Sequence, residues 1–132
     1  MSFLLDTDIC SAHLKQRPAL THRILQHSGR LYISTITLGE LSTWARRANA
    51  PAGRLQSLRD FLLGVNVLAV DETVAEKFGE VRAALLDAGK PAPDLDLLIA
   101  ATALTHGLVL VTHNGVDYAN IPGLVLQDWL VP

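Results

Sequence analysis

Residues 4–10 read LLDTDIC, a short apolar run that passes directly into two acids separated by a single threonine. The run has the length and character of a strand, and Asp6 and Asp8 stand where a solvated turn would suffice. The same kind of apolar run recurs along the chain: SFLL (2–5), RLYIS (30–34), VNVLAV (65–70), LVLVT (108–112) and LVLQ (124–127) are short and nearly continuous in apolar residues. Continuous apolar runs, in place of strict alternation, fit parallel strands covered on both faces. Between them, segments 18–28, 36–48, 52–63, 72–88 and 95–106 have helical period. Pro18 opens one helix, Asp71 caps another ahead of ETVAEKF, and Gly107 closes a third. GKPAP (89–93) is a loop. Alternating β and α elements predict an α/β sandwich around a mostly parallel sheet.

Composition bounds the rest. A chain of 132 residues with 49% hydrophobic content is expected to form one domain, 1–132, with enough apolar mass for a layered core. One cysteine, Cys10, cannot form an internal disulfide, so a buried free thiol in a reducing cytoplasm is expected. No basic leader precedes MSFLL, and LLIAATALTHGLVLV is broken by His106 and Gly107 and is too short to span a bilayer. The expectation is a soluble cytoplasmic protein with no membrane partner. Formal net charge is −2, but residues 1–66 carry eight of the eleven Lys and Arg against four acids, and residues 67–132 carry three against nine. That asymmetry allows a basic surface beside an acidic pocket.

Open parallel sheets place their sites outside the carboxyl ends of the strands, and Asp6 sits at such an end. Three further acids have comparable addresses: Glu40 early in the helix after RLYIS, Asp96 at the start of DLLIAATAL, and Asp117 after LVLVT in THNGVDY. Singly, each reads as an ordinary turn acid, solvated helix residue, N-cap or loop acid. Together they would repel one another unless something positive sits among them. Divalent Mg²⁺ or Mn²⁺ answers that need, because hard cations take carboxylate and water oxygens and, as a pair ~3.5–4 Å apart, can activate water against a phosphodiester.

With those four acidic motifs in order, LLDTD, TITLGEL, GKPAPDLDLLIAATAL and LVTHNGVDY followed by IPGLVLQDW, the chain resembles the PIN-domain family and within it the VapC-type toxins of toxin–antitoxin pairs. The resemblance spans essentially the whole chain. It implies an α/β/α sandwich around a parallel sheet and a Mg²⁺-dependent endoribonuclease, with Mn²⁺ able to substitute, that cuts RNA, is inhibited by a cognate antitoxin, and forms homodimers and toxin–antitoxin hetero-oligomers. Position by position, it assigns the catalytic metal site to Asp6, Glu40, Asp96 and Asp117, with Thr112 and Asn114 in support.

Some positions depart from the family pattern. Asp8 stands where Asn is common and reads first as the cap of a helix starting at Ile9, second as a supporting acid near the metal. His113 stands where Arg or Lys is common, which would make a phosphate contact pH-sensitive. Asp94, after Pro93, is predicted to cap the helix whose first turn carries Asp96. Trp44 reads as core or partner groove, and Arg46 and Arg47 as solvated or phosphate-contacting. Two rival functions exist. The D-x-D of LLDTDIC also occurs in aspartate-nucleophile phosphatases, but their late lysine would have to follow LVLVT, and the last lysine is Lys90. A catalytically silent PIN-fold binding module would be expected to lack an acid, and all four are present.

Overall fold

The computed structural model describes residues 1–131. Its elements are β1 (Phe3–Leu5), α1 (Thr7–Leu14), α2 (Pro18–Gln26), β2 (Leu31–Ser34), α3 (Thr35–Arg46), α4 (Arg54–Leu62), β3 (Asn66–Leu68), α5 (Glu72–Asp87), α6 (Asp94–His106), β4 (Val109–Val111), α7 (Gly115–Tyr118) and β5 (Leu126–Gln127). The strands form one sheet in the order β3-β2-β1-β4-β5, and every pairing is parallel.

Side chains of successive strand residues point to opposite faces, and here both faces are covered. Phe3 and Leu5 of β1, Leu31 and Ile33 of β2, and Val109 and Val111 of β4 pack with Ile9, Cys10, Leu20, Ile24, Leu41 and Leu58 from α1–α4. Leu4, Tyr32 and Leu110 face the other way, onto Val81 and Leu85 of α5 and Leu97, Ala100 and Ala103 of α6. The result is an α/β/α sandwich, and it explains why the strands read as unbroken apolar runs. Leu4 and Leu5 are fully buried on opposite faces, a burial that stabilises by about 1.5–3 kcal/mol for each such side chain. Cys10 is free and buried, as expected. Among the described residues no helix is long and apolar enough to cross a membrane.

Several boundary signals act as the sequence predicts. Pro18 occupies the first turn of α2, the Asp71 carboxylate accepts from Val74 N–H at 3.0 Å, and Gly107 ends α6 with φ 63°, a left-handed conformation that costs glycine nothing. Two caps differ. The first helix starts at Thr7, not Ile9, and its cap is Asp6, so Asp8 lies inside the first turn and does not cap it. Pro93 is the N-cap position of α6, which has no side-chain cap bond; Asp94 instead reaches Arg82 on α5 at 3.1 Å. The short α7 was not predicted either.

Chain direction across the sheet reverses beside β1, because β2 and β3 lie on one side of it and β4 and β5 on the other. Such a switch point leaves a crevice at the carboxyl ends of the two strands that flank it. Asp6 follows β1 and Thr112 follows β4, so both line that crevice.

Candidate active site

Asp6 is the most enclosed of the acids, 6% exposed, and its carboxylate is held from three directions. Oδ1 accepts from Thr7 N–H at 2.8 Å, while Oδ2 accepts from the Thr112 hydroxyl at 2.9 Å and the Tyr118 hydroxyl at 3.0 Å. Burial pushes the Asp6 pKa above its ordinary value, and the hydrogen bonds from Thr112, Thr7 and Tyr118 oppose that rise. Tyr118 is itself shifted upward, first by burial and then by the Asp6 charge, so its phenol stays a donor.

Glu40, on α3, is anchored from α1: the Thr7 hydroxyl donates to Glu40 Oε1 at 2.7 Å. Thr37 Oγ1 lies 3.0 Å from the same hydroxyl. One hydroxyl carries one proton, so Thr37 is the donor in that second contact. Asp117, in α7, accepts from the Asn114 side-chain amide at 2.6 Å, and Asn114 N–H donates to Thr112 Oγ1 at 3.0 Å. Thr112 and Asn114 thus link Asp6 to Asp117 through one continuous chain of bonds.

Asp96 completes the set from the first turn of α6. Its carboxyl is pushed up to about 6 by partial burial and then by the charges of Asp6, Asp117 and Glu40. Asp6, Glu40 and Asp117 thus lie near enough for their charges to act on Asp96. Among the described residues no three His, Cys, Asp or Glu side chains are grouped tightly enough to hold one ion between them. The donors are nevertheless all oxygens, and Mg²⁺ keeps several waters and needs only one or two carboxylates from the protein; the donor chemistry fits.

Asp8 stands beside this group. It accepts from His113 N–H at 3.0 Å, which ties α1 to the loop after β4, and its Oδ1 is buried without a partner. Burial and the Asp6 charge push it up to about 6. His113 is exposed, and its ring Nδ1 lies 2.8 Å from Asp128 Oδ2. Asp94 is engaged by Arg82 of α5 at 3.1 Å.

Trp44 packs partly buried against the first core cluster, with the Arg54 guanidinium 4.4 Å over its ring. The core reading of Trp44 holds. A groove of about 410 Å³ opens on another face of α3, lined by Leu38, Ser42 and Arg46 with Leu55, Leu58 and Leu62 of α4. Sequence reasoning missed Thr7, Thr37 and Tyr118. Thr7 lies inside the DTD motif and Tyr118 follows Asp117, so position marked both, but nothing local announces that their hydroxyls converge on acids far away in the chain.

Residues 3–124 match the PIN domain family. The chain is 34% identical over 130 residues to the tRNA(fMet)-specific endonuclease VapC of Shigella flexneri, covering 98% of each. It is 30% identical over 131 residues to the ribonuclease VapC2 of Haemophilus influenzae, covering 98% of this chain and 99% of the relative. Among solved structures, the chain superposes on a DNA-bound VapBC from Salmonella typhimurium with TM-score 0.92 and 35% identity, covering 98% of each. A VapBC2 from Rickettsia felis bound to a promoter DNA fragment gives TM-score 0.90 at 26% identity, covering 98% of this chain and 99% of that one.

Proposed function

The chain belongs to the PIN domain family, and on that footing we propose that it is a metal-dependent endoribonuclease, hydrolysing RNA phosphodiester bonds in the cytoplasm as the toxin of a type II toxin–antitoxin pair. Relatives named as VapC ribonucleases support the reaction class. One observation carries the reading to this site: the charges that press on Asp96 are those of Asp6, Asp117 and Glu40. The like charges repel one another there, and a divalent cation would relieve that repulsion.

Asp6, Glu40, Asp96 and Asp117 would hold Mg²⁺ or Mn²⁺, with Thr112 and Asn114 fixing the ligands and Asp8 adding charge behind them. The chemistry such an ion supplies when bound is polarisation of the scissile phosphate and acidification of an attacking water. The protein's own part is to hold the ligands ready. Three hydrogen bonds fix Asp6, Thr7 draws Glu40 toward it from the facing helix, and Asn114 orients Asp117. Asp96 sits in the first turn of a thirteen-residue helix, where the unpaired N–H groups favour negative charge. Asp96, raised to about 6, would have to be ionised to serve as a ligand, so metal affinity would rise with pH through that range.

An antitoxin partner is supported by the VapBC complexes among the structural relatives. The α3–α4 groove fits an amphipathic antitoxin segment with acidic flanks, because its leucine floor is bordered by Arg46 and Arg59. Homodimerisation follows from the family resemblance. The deciding experiment incubates the full chain with single-stranded RNA: cleavage is expected in Mg²⁺ or Mn²⁺, lost in excess EDTA, and reduced by orders of magnitude in Glu40→Ala. Cleavage that survives EDTA would overturn the mechanism.

A further inference from the structure

The two oxygens of Asp6 are used unequally. Oδ1 accepts one bond, from Thr7 N–H at 2.8 Å. Oδ2 accepts two, from the Thr112 hydroxyl at 2.9 Å and the Tyr118 hydroxyl at 3.0 Å. A carboxylate offers about four lone-pair sites, two on each oxygen. Oδ2 is therefore filled, and Asp6 has one site left, on Oδ1.

We propose that Tyr118 is a positioning residue of the nuclease centre: together with Thr112 it closes Oδ2 and so restricts Asp6 to ligation through a single oxygen. The inference rests on the reading of Asp6 as a metal ligand and deepens it. Tyr118 is 1% exposed and packs in the core cluster with Leu97, Ala100 and Leu110, so its hydroxyl cannot turn away to solvent. Its place on α7 matters as well. Asp117 and Tyr118 are adjacent on the same short helix, one bonded to Asn114 at the pocket rim and the other to Asp6 from behind. The short helix α7 therefore carries one acid and holds a second.

One-oxygen ligation has a consequence for ion choice. Mg²⁺ demands near-ideal octahedral geometry, whereas Ca²⁺ accepts bidentate carboxylates in larger and more flexible shells. A closed Oδ2 therefore favours the smaller ion. Tyr118→Phe keeps the buried ring and frees one site on Oδ2. In calorimetric titrations of the full chain, the variant is expected to bind Mg²⁺ about 10-fold more weakly, at the low end of what outer hydrogen-bond partners contribute, and to bind Ca²⁺ nearly as well as the wild type. Its preference for Mg²⁺ over Ca²⁺ narrows accordingly. Thr112→Val acts on the same oxygen and should narrow the preference in the same direction. The metal-free melting temperature monitors the fold.

Equal weakening of both ions in the two variants would mean that the hydroxyls serve only structure, and unchanged affinities would mean that they do not govern the ligand; either result overturns the proposal while leaving the metal centre standing. A wild-type chain that binds neither ion, like an Asp6→Asn control, would bring down the metal-centre reading and this inference with it.

Discussion

Thr7 and Glu40, 33 positions apart, meet at 2.7 Å between a hydroxyl and a carboxylate oxygen, and the contact joins the first turn of α1 to the middle of α3. Asp6 caps α1 and Thr7 follows it at once, so one strand end positions one acid directly and a second through its neighbour. Thr7→Val preserves shape and removes the donor. It should cost about 1 kcal/mol of stability, the ordinary net value of a hydrogen bond, and lower cleavage about 10-fold, as loss of an outer partner does. Thr7→Ser should restore both. Melting curves and initial cleavage rates check this, and full activity in Thr7→Val would mean that Glu40 needs no anchor.

Removal of metal should give an unusual pH dependence. Asp96 titrates near 6 in the folded chain against an ordinary 3.8, Asp8 also near 6, and Asp6 is raised as well. The folded form thus holds these protons more tightly than the unfolded one. Their contribution to stability is complete below the ordinary carboxylate range and is lost as pH rises through about 6. In EDTA, the protein should melt at a higher temperature at about pH 5 than at about pH 8, and Asp96→Asn should flatten that slope and melt higher at the alkaline end. Calorimetry in EDTA that shows stability rising across this window would contradict the clustering of unpaired acids.

Saturating Mn²⁺ should reverse the loss at alkaline pH, since an ion that binds only the folded state stabilises by about 2.7 kcal/mol at a hundredfold excess over its Kd. Asp6→Asn should shrink the effect. Melting curves that do not respond to millimolar Mn²⁺ in either protein would refute ion binding.

Asp94 and Asp96 separate cleanly. Asp94 forms an exposed ion pair with Arg82, a class of contact worth roughly 0–1 kcal/mol, so Asp94→Asn should leave stability and cleavage almost unchanged. Asp96→Asn should lose cleavage and Mn²⁺ affinity together while staying folded. The reverse pattern would put the third ligand on the wrong residue.

The groove and the tryptophan should also part company. Leu62→Glu places a carboxylate on the apolar groove floor and should abolish capture of a co-expressed antitoxin while sparing cleavage. Trp44→Ala removes a half-buried ring stacked by Arg54 and should cost about 2 kcal/mol, less than the cost of a fully buried tryptophan. Pull-down and thermal melts distinguish the two effects; antitoxin binding that survives Leu62→Glu would move the partner elsewhere.

The strands were legible because a doubly covered sheet forces apolar residues at every position: Phe3 and Leu5 face one core and Leu4 the other. The four acids were legible because each lies next to a strand end or helix start. Where the sequence misled, tertiary contacts decided. Asp94 follows Pro93 as a cap would, yet Arg82, from another helix, captures it. Asp8 resembles a cap because the true cap, Asp6, is also the site's central acid, and one residue in two roles hides one of them. Tyr118 bonds to Asp6 across 112 positions, a separation that no local pattern encodes.

β1 pairs in register with β4, Phe3 against Val109 and Leu5 against Val111, and this has a bearing on how the enzyme is made. Thr112, Asp117 and Tyr118 leave the ribosome 106 to 112 residues after Asp6. At about 5–20 residues per second, the N-terminal strand waits for its second neighbour for roughly 5–20 seconds. During that interval the nascent chain has Asp6 and Glu40 but no pocket, and one edge of its central strand is unpaired. The two halves of the acidic site are therefore joined only after residues 109–118 have emerged and β4 has paired with β1.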